Sequence, residues 1–276
     1  MGLRIATNVT SLTAQRNLGI SNEKGSLSLA KLSSGSRITK SADDAAGLSI
    51  SENLKASIRG LQQANRNAND GISMIQTAEG GVNEISNILI RLRELSVQAA
   101  SDTIGDVERS FTNKEFVSLT EEIDRIANVT TFNGRGLLNG EGGTIEIQVG
   151  IHDSPEQDRL RYEPSNTNLT AEKLGMKGRG LTSKEDAQSN LSAIDEAIRF
   201  TNENRSELGA LQNRLSSTVN NLSIATENLS AANSRVRDAD FAMETSELTK
   251  NSIIAQAATS VLSQANSSQN NALKLL

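Results

Sequence analysis

His152 stands beside Asp153, the one place where this sequence sets an imidazole next to a carboxylate. Such a pair moves protons or holds a metal only with convergent partners. None accompanies it, and its setting between two short alternating runs reads as a solvated hairpin loop. The serines belong to no nucleophile elbow and to no Ser-x-x-Lys with supporting motifs. Gly175, Gly178 and Gly180 lack phosphate-loop spacing and follow no strong strand, so they read as a flexible connector. Glu121, Glu122 and Asp124 fall on a helix and read as its solvated face. Asn-x-Ser/Thr triplets, at Asn128, Asn168, Asn190 and elsewhere, are expected by chance in a chain this rich in Asn and Ser. The reading is a non-enzyme, with no catalytic, cofactor-binding or metal-ligating residues and no cofactor.

The composition points to long helices. Of 276 residues 2% are aromatic, with no Trp and one Tyr, so Leu, Ile, Val and Ala must carry the burial. Two Pro leave long helical runs uninterrupted. Without Cys there are no disulfides, thiolate zinc sites or thiol catalysis. Residues 1–40 hold six basic residues against Glu23, a balance of +5, which leaves −10 for the remainder of a chain of net charge −5. The basic residues are scattered singly, with no aromatic among them, which argues against nucleic acid. No apolar window is long enough to span a membrane, and no signal-peptide core precedes a small-residue cleavage site.

Two periodic runs dominate. Leu54, Ile58, Leu61, Asn65, Ala68, Ile72, Ile75, Ala78, Val82, Ile85, Leu89, Leu92, Leu95 and Ala99 cover 45 residues in 13 steps, a mean near 3.5. Leu208, Leu211, Leu215, Val219, Leu222, Ala225, Leu229, Ala232, Val236, Ala239 and Met243 cover 35 residues in ten steps, with the same mean. That is a coiled-coil period. Gly80-Gly81 marks a place where the first run can kink. Capping patterns stand before each run, at Ser41/Asp44 and at Thr182/Glu185. Between them lie a shorter helix with Phe116, Leu119, Ile123 and Ile126 on one face, a turn at Phe132-Asn133-Gly134, and alternating residues 144–149 and 160–162 that read as a hairpin. In Arg91 to Gln98, Leu92, Leu95 and Ala99 suffice for one helix–helix seam. Ile90 and Val97 are left either for another subunit or for burial on a second side within one molecule.

The fold class is therefore mainly α, with long antiparallel coiled-coil-like helical rods, a small β-hairpin cap, and terminal helices paired at one end. The domains are 1–42 plus 236–276, a terminal helical domain, and 43–235, a rod domain. The rod domain has helices near 45–100, 108–129 and 184–235 and a β region near 140–180. Residues 1–40 carry ten large aliphatics, and 251–273 carry Ile253, Ile254, Val261, Leu262 and Leu273 without one charge. Burying these within one molecule does not repay the entropy of ordering both ends. Both ends want partners.

The sequence resembles the bacterial flagellins over nearly its whole length. The resemblance rests on Arg4-Ile5-Ala6-Thr7-Asn8, Leu32 to Ile38, Ser41 to Leu48, Arg91 to Gln98, Glu122 to Ile126, Phe132-Asn133-Gly134, Ser234 to Phe241, Thr259 to Asn266 and the final Leu275-Leu276. Two departures stand out. Residues 140–180 occupy the place of the family's variable insert, which implies a minimal, smooth filament. Ser267-Ser268 stands where the family often has a proline. The resemblance implies a structural subunit that polymerises into the flagellar filament for motility. Its arms would be disordered in the monomer and ordered on assembly. It also implies export to the extracellular flagellum without a cleaved signal peptide. The implied partners are further copies of the chain, an export chaperone on the C-terminal arm, and filament cap and hook-junction proteins. An animal innate immune receptor would contact Arg91, Leu95 and Glu115, a surface also shared between subunits. The polymerisation arms would act through Ile5, Val9, Leu12, Ile254, Val261, Leu262, Leu275 and Leu276. The alternatives are a hook–filament junction protein, which shares the terminal signatures, and a secreted helical adhesin or enzyme.

Overall fold

The computed structural model describes residues 7–273, with side chains as far as 268. Five helices carry the chain: α1 (Val9–Ser34), α2 (Ala45–Ala99), α3 (Asp106–Val129), α4 (Lys184–Arg237) and α5 (Phe241–Leu273). Between α3 and α4 stand two small antiparallel pairs, β1 (Thr131–Phe132) with β2 (Arg135–Gly136), and β3 (Ile145–Gln148) with β4 (Arg159–Tyr162). The chain divides into two compact units, residues up to Ile58 together with those from Asn228, and Arg59–Glu227.

In the Arg59–Glu227 unit, α2 and α4 run antiparallel along the expected seam. Asn65 donates to the Val219 carbonyl and to Ser223, Arg93 pairs with Asp195 at 2.7 Å, and Lys184 pairs with Asp102 at 2.7 Å. Ile75, Ala78, Val82, Ile85, Leu89, Leu92 and Ala99 are fully buried, as are Phe116, Ile123 and Ala127 of α3. The 3.5-residue period works here because each seam residue meets a facing helix. Arg109, buried at the start of α3, donates to the carbonyls of Ala99 and Ile104. It thereby satisfies acceptors that the end of α2 leaves open.

Both helices begin where the sequence reading put them, at Ala45 and Lys184, but different residues cap them. Asp44, not Ser41, caps α2 by accepting from the Gly47 amide at 2.8 Å, while Asp43 accepts from the amides of Thr39 and Lys40. Before α4 the reciprocal box joins Ser183 and Asp186, with Asp186 N 3.0 Å from Ser183 Oγ and Ser183 N 3.1 Å from Asp186 Oδ2. Adjacent acidic side chains, Asp43-Asp44 and Glu185-Asp186, offer the same chemistry, so the pattern alone cannot choose between registers.

The Gly80-Gly81 pair does not end α2, which continues through it. The two glycines have different surroundings. A Cβ on Gly80 would meet nothing within 4 Å, whereas one on Gly81 would lie 2.7 Å from both Leu138 Cδ1 and Thr130 Oγ1. Gly81 therefore admits the segment after α3 against the helix. Gly80→Ala is expected to stabilise the protein by roughly 0.5–1 kcal/mol through helix propensity. Gly81→Ala is expected to destabilise it by roughly 1–2 kcal/mol through overpacking. Urea denaturation of the two variants side by side checks the opposite signs.

Asn133 (φ 50°) and Gly134 (φ 77°) are both left-handed, which closes the β1–β2 pair in a tight primed turn. In the second hairpin Ile145 faces Tyr162 and Ile147 faces Leu160. Gln148 at its edge accepts from Asn67 of α2 through its carbonyl. The phenol of Tyr162 is buried, donates to the Leu137 carbonyl at 2.6 Å and lies 2.6 Å from Thr167 Oγ1. Burial pushes its pKa up to about 12, with the Thr167 hydrogen bond opposing. The folded state thus favours the neutral phenol. Its contribution is complete below the ordinary pKa of about 10 and is lost as pH rises towards 12. Because the chain has one Tyr and no Trp, absorbance at 295 nm reads this group alone. Titration is expected to show no phenolate at pH 10–11, and ionisation only near 12 or together with unfolding.

Residues 163–183 overturn the reading of a flexible connector. Leu169, Ala171, Leu174, Met176 and Leu181 are buried in the core. Asp124 accepts from the Ala171 amide and Asn113 from the Leu181 amide, each at 2.6 Å. Asp124 is thus part of a docking contact, in contrast to the solvated face expected for it. Glu121 is exposed, and Glu122 pairs with Arg125.

Candidate assembly surface

α1 and α5 pair with each other. Asn8 caps α1, its Oδ1 3.0 Å from the Ser11 amide, and its Nδ2 donates to the Ala265 carbonyl. Ser11 hydrogen-bonds Asn266 at 3.0 Å, and Lys31 pairs with the buried Glu244 at 3.2 Å. The helices are antiparallel, and Gly25 fits where a Cβ would lie 4.0 Å from that of Asn251.

The seam between them mixes small side chains with four leucines and two polar residues. On α1 the inward positions are Ser11, Ala14, Leu18, Ser21, Gly25, Ser28 and Leu32, and on α5 they are Glu244, Leu248, Asn251, Ala255, Ala258, Leu262 and Ala265. Both sets keep a three–four alternation. The large aliphatics of α1 lie outside the seam: Val9 is 62% exposed and Leu12 55%, and Ile20, Leu27 and Leu29 are exposed as well. On α5 the same holds for Ile253, Ile254 and Val261, the last 58% exposed. Of the residues assigned to polymerisation, Val9, Leu12, Ile254 and Val261 thus face outward and Leu262 lies half-buried in the seam. Ile5, Leu275 and Leu276 lie outside the described residues.

The connectors flanking these helices are laced by backbone bonds. The Arg37 amide donates to the Arg237 carbonyl at 2.6 Å, and the Ala239 amide donates to the Gly35 carbonyl at 3.0 Å. Gly35 closes α1 in a left-handed conformation, φ 66°. Arg37 also donates from its guanidinium to the Val236 carbonyl. α4 ends at Arg237 and α5 begins after a connector in which Asp240 caps the amides of Ala242 and Met243. That break resets the helical phase. Met243, expected as the last seam residue of the second run, is instead exposed.

A second surface lies on α2 and α3. Arg91 donates to Glu115 Oε1 (2.9 Å) and to Glu94 Oε2 (2.9 Å), and all three are exposed. The two carboxylates hold the guanidinium still more firmly in its charged form. Leu95 does not share that surface: it is 1% exposed and belongs to the core. Ile90 and Val97 are about half exposed, so burial on a second side within one molecule is not their role. His152 is exposed and meets no acid–base partner, because Asp153 pairs with Arg159. Among the described residues no group of three or more His, Cys, Asp or Glu gathers as metal ligands, and no helix is long and apolar enough to cross a membrane.

What remains is a helical subunit that leaves many large apolar side chains of α1 and α5 exposed outside their seam, the mark of a class of self-associating building blocks. Residues 5–142 match the bacterial flagellin N-terminal helical region, and residues 191–276 match the bacterial flagellin C-terminal helical region. Flagellin of Halalkalibacterium halodurans is 44% identical over 269 residues, covering 98% of each chain. Flagellin FlaB2 of Treponema pallidum is 40% identical over 281 residues, again covering 98% of each. The crystal structure of Bacillus cereus flagellin superposes with a TM-score of 0.51 at 32% identity, over 57% of this chain and 88% of that one. The chain belongs to the bacterial flagellins. It is a structural subunit of the extracellular flagellar filament, not an enzyme, and a junction-protein reading is not favoured.

Proposed function

We propose that the outward aliphatics of α1 and α5 are the surface by which one copy binds the next. We further propose that the two helices acquire full order only on joining a filament. The observation that carries this reading is the row of large aliphatics left exposed on α1 and α5, Val9, Leu12, Ile20, Leu27, Leu29, Ile253, Ile254 and Val261, around a seam built largely of Ser, Ala and Gly with four leucines. A seam with only four leucines, each half-buried, removes limited apolar area from water, so the pair gains little from itself alone. A neighbouring copy that covers the outer face supplies the missing burial. Coupling order to assembly also keeps premature association weak.

The other partners follow from the same chemistry. An export chaperone would cover the apolar face of α5 before assembly, and subunits would pass to the tip without a cleaved leader. Cap and hook-junction proteins would meet the arms at the filament's ends. An innate immune receptor would read the exposed pair Arg91 and Glu115, whereas Leu95, buried in the core, would be out of its direct reach. In the filament that pair would lie between copies. Sheared filament added to purified subunit is expected to elongate into micrometre-long fibres. Hydrogen exchange should be fast in α1 and α5 of the dilute subunit and slow in the fibre. Subunits that stay monomeric with seeds present, or arms already protected at high dilution, overturn the reading.

A further inference from the structure

We propose that Met243 is an oxidation site that controls assembly: its conversion to the sulfoxide in the free subunit blocks addition to the filament. The inference rests on the polymer reading above and goes beyond it. Of the methionines among the described residues, Met74 and Met176 are buried, at 4% and 0% exposure, whereas Met243 is 63% exposed. Phe241, two positions earlier in the first turn of α5, is itself 67% exposed. Other outward aliphatics of the same helix, Ile253, Ile254 and Val261, follow along it.

The backbone that carries this side chain is held in place. Asp240 Oδ1 accepts from the amides of Ala242 (2.9 Å) and Met243 (3.1 Å), which fixes the turn. The next residue, Glu244, is buried and held by Lys31 of α1. The thioether sulfur attacks one oxygen of hydrogen peroxide. An S–O bond forms, the O–O bond breaks, and the departing hydroxide takes the remaining proton as water. Sulfur is oxidised by two electrons and peroxide is reduced. The product is a polar, chiral side chain on a surface built to be covered, and it is reducible by methionine sulfoxide reductase.

The test exposes subunit and preformed filament separately to hydrogen peroxide, maps sulfoxides by peptide mass spectrometry, and measures seeded elongation. In the free subunit Met243 is expected to oxidise well before Met74 and Met176, and in the filament to be protected. Oxidised subunit should require a concentration on the order of tenfold higher to elongate. Reductase treatment should restore it. Met243→Leu should elongate equally well before and after peroxide, whatever its own basal rate, and Met243→Gln should elongate poorly without it. The inference is overturned alone if untreated subunit elongates and subunit carrying Met243 sulfoxide elongates equally well. The same holds if Met243→Leu loses elongation to peroxide as the parent does. Untreated subunit that never elongates overturns the polymer reading, and this one with it.

Discussion

Replacing Leu12, Ile20, Leu29 and Val261 together by serine is expected to abolish seeded elongation while leaving the Arg59–Glu227 unit folded. All four side chains are exposed on α1 or α5 and lie off the small-residue seam. Intramolecular packing therefore loses almost nothing. Assembly loses roughly 2 kcal/mol of burial at each position. Even with part of that offset, the addition equilibrium shifts by several orders of magnitude, because each 1.4 kcal/mol is about tenfold. Ser21→Ala is the matched control: Ser21 is buried in the seam, so its change leaves the outer face intact and elongation should persist. Light scattering and electron microscopy read elongation, and circular dichroism with sedimentation reads the fold. Wild-type elongation by the quadruple variant would remove the outer faces from the assembly surface.

The second large effect concerns the core. Phe116→Ala is expected to destabilise the Arg59–Glu227 unit by about 3–5 kcal/mol, with a fall in Tm on the order of 10 °C. Phe116 is the one fully buried aromatic ring of α3 and belongs to the same core as Leu89, Leu92 and Leu95 of α2. In a chain with 2% aromatics, few other side chains could fill the volume it leaves. Val117, one position on and 38% exposed, supplies the contrast: Val117→Ala should change stability by less than about 1 kcal/mol. Urea and thermal unfolding followed by circular dichroism separate the two. Equal effects would mean that α3 does not pack with the face assigned to it.

Leu92, Leu95 and Ala99 recur at threes and fours, and a facing helix does bury them. Ile145, Ile147, Leu160 and Tyr162 alternate, and they do pair across a hairpin. In both cases a local period matches the geometry of the element. The failures occur where no period operates. Residues 163–183 look like a glycine-punctuated connector, yet they are held by Asn113 and Asp124 from α3. Those two hydrogen bonds join residues 68 and 47 positions apart, and no local pattern encodes them. Met243 continues a heptad in the string of letters, but the connector before α5 breaks the helix and re-aims it.

By itself the sequence determined the helical rods, the hairpin between them, the absence of catalytic constellations and the surplus of aliphatics at both ends. Each of these follows from composition or from a repeat shorter than one element. Only the tertiary structure decided which faces of α1 and α5 meet, that Leu95 belongs to the core and not to the surface of Arg91 and Glu115, and that Gly81 makes room for Leu138. Ser11, Ala14, Ser21, Gly25 and Ser28 carry no hydropathy signal to mark a seam. Their fitness for close approach is a matter of shape, and shape is defined only once the partner helix is in place.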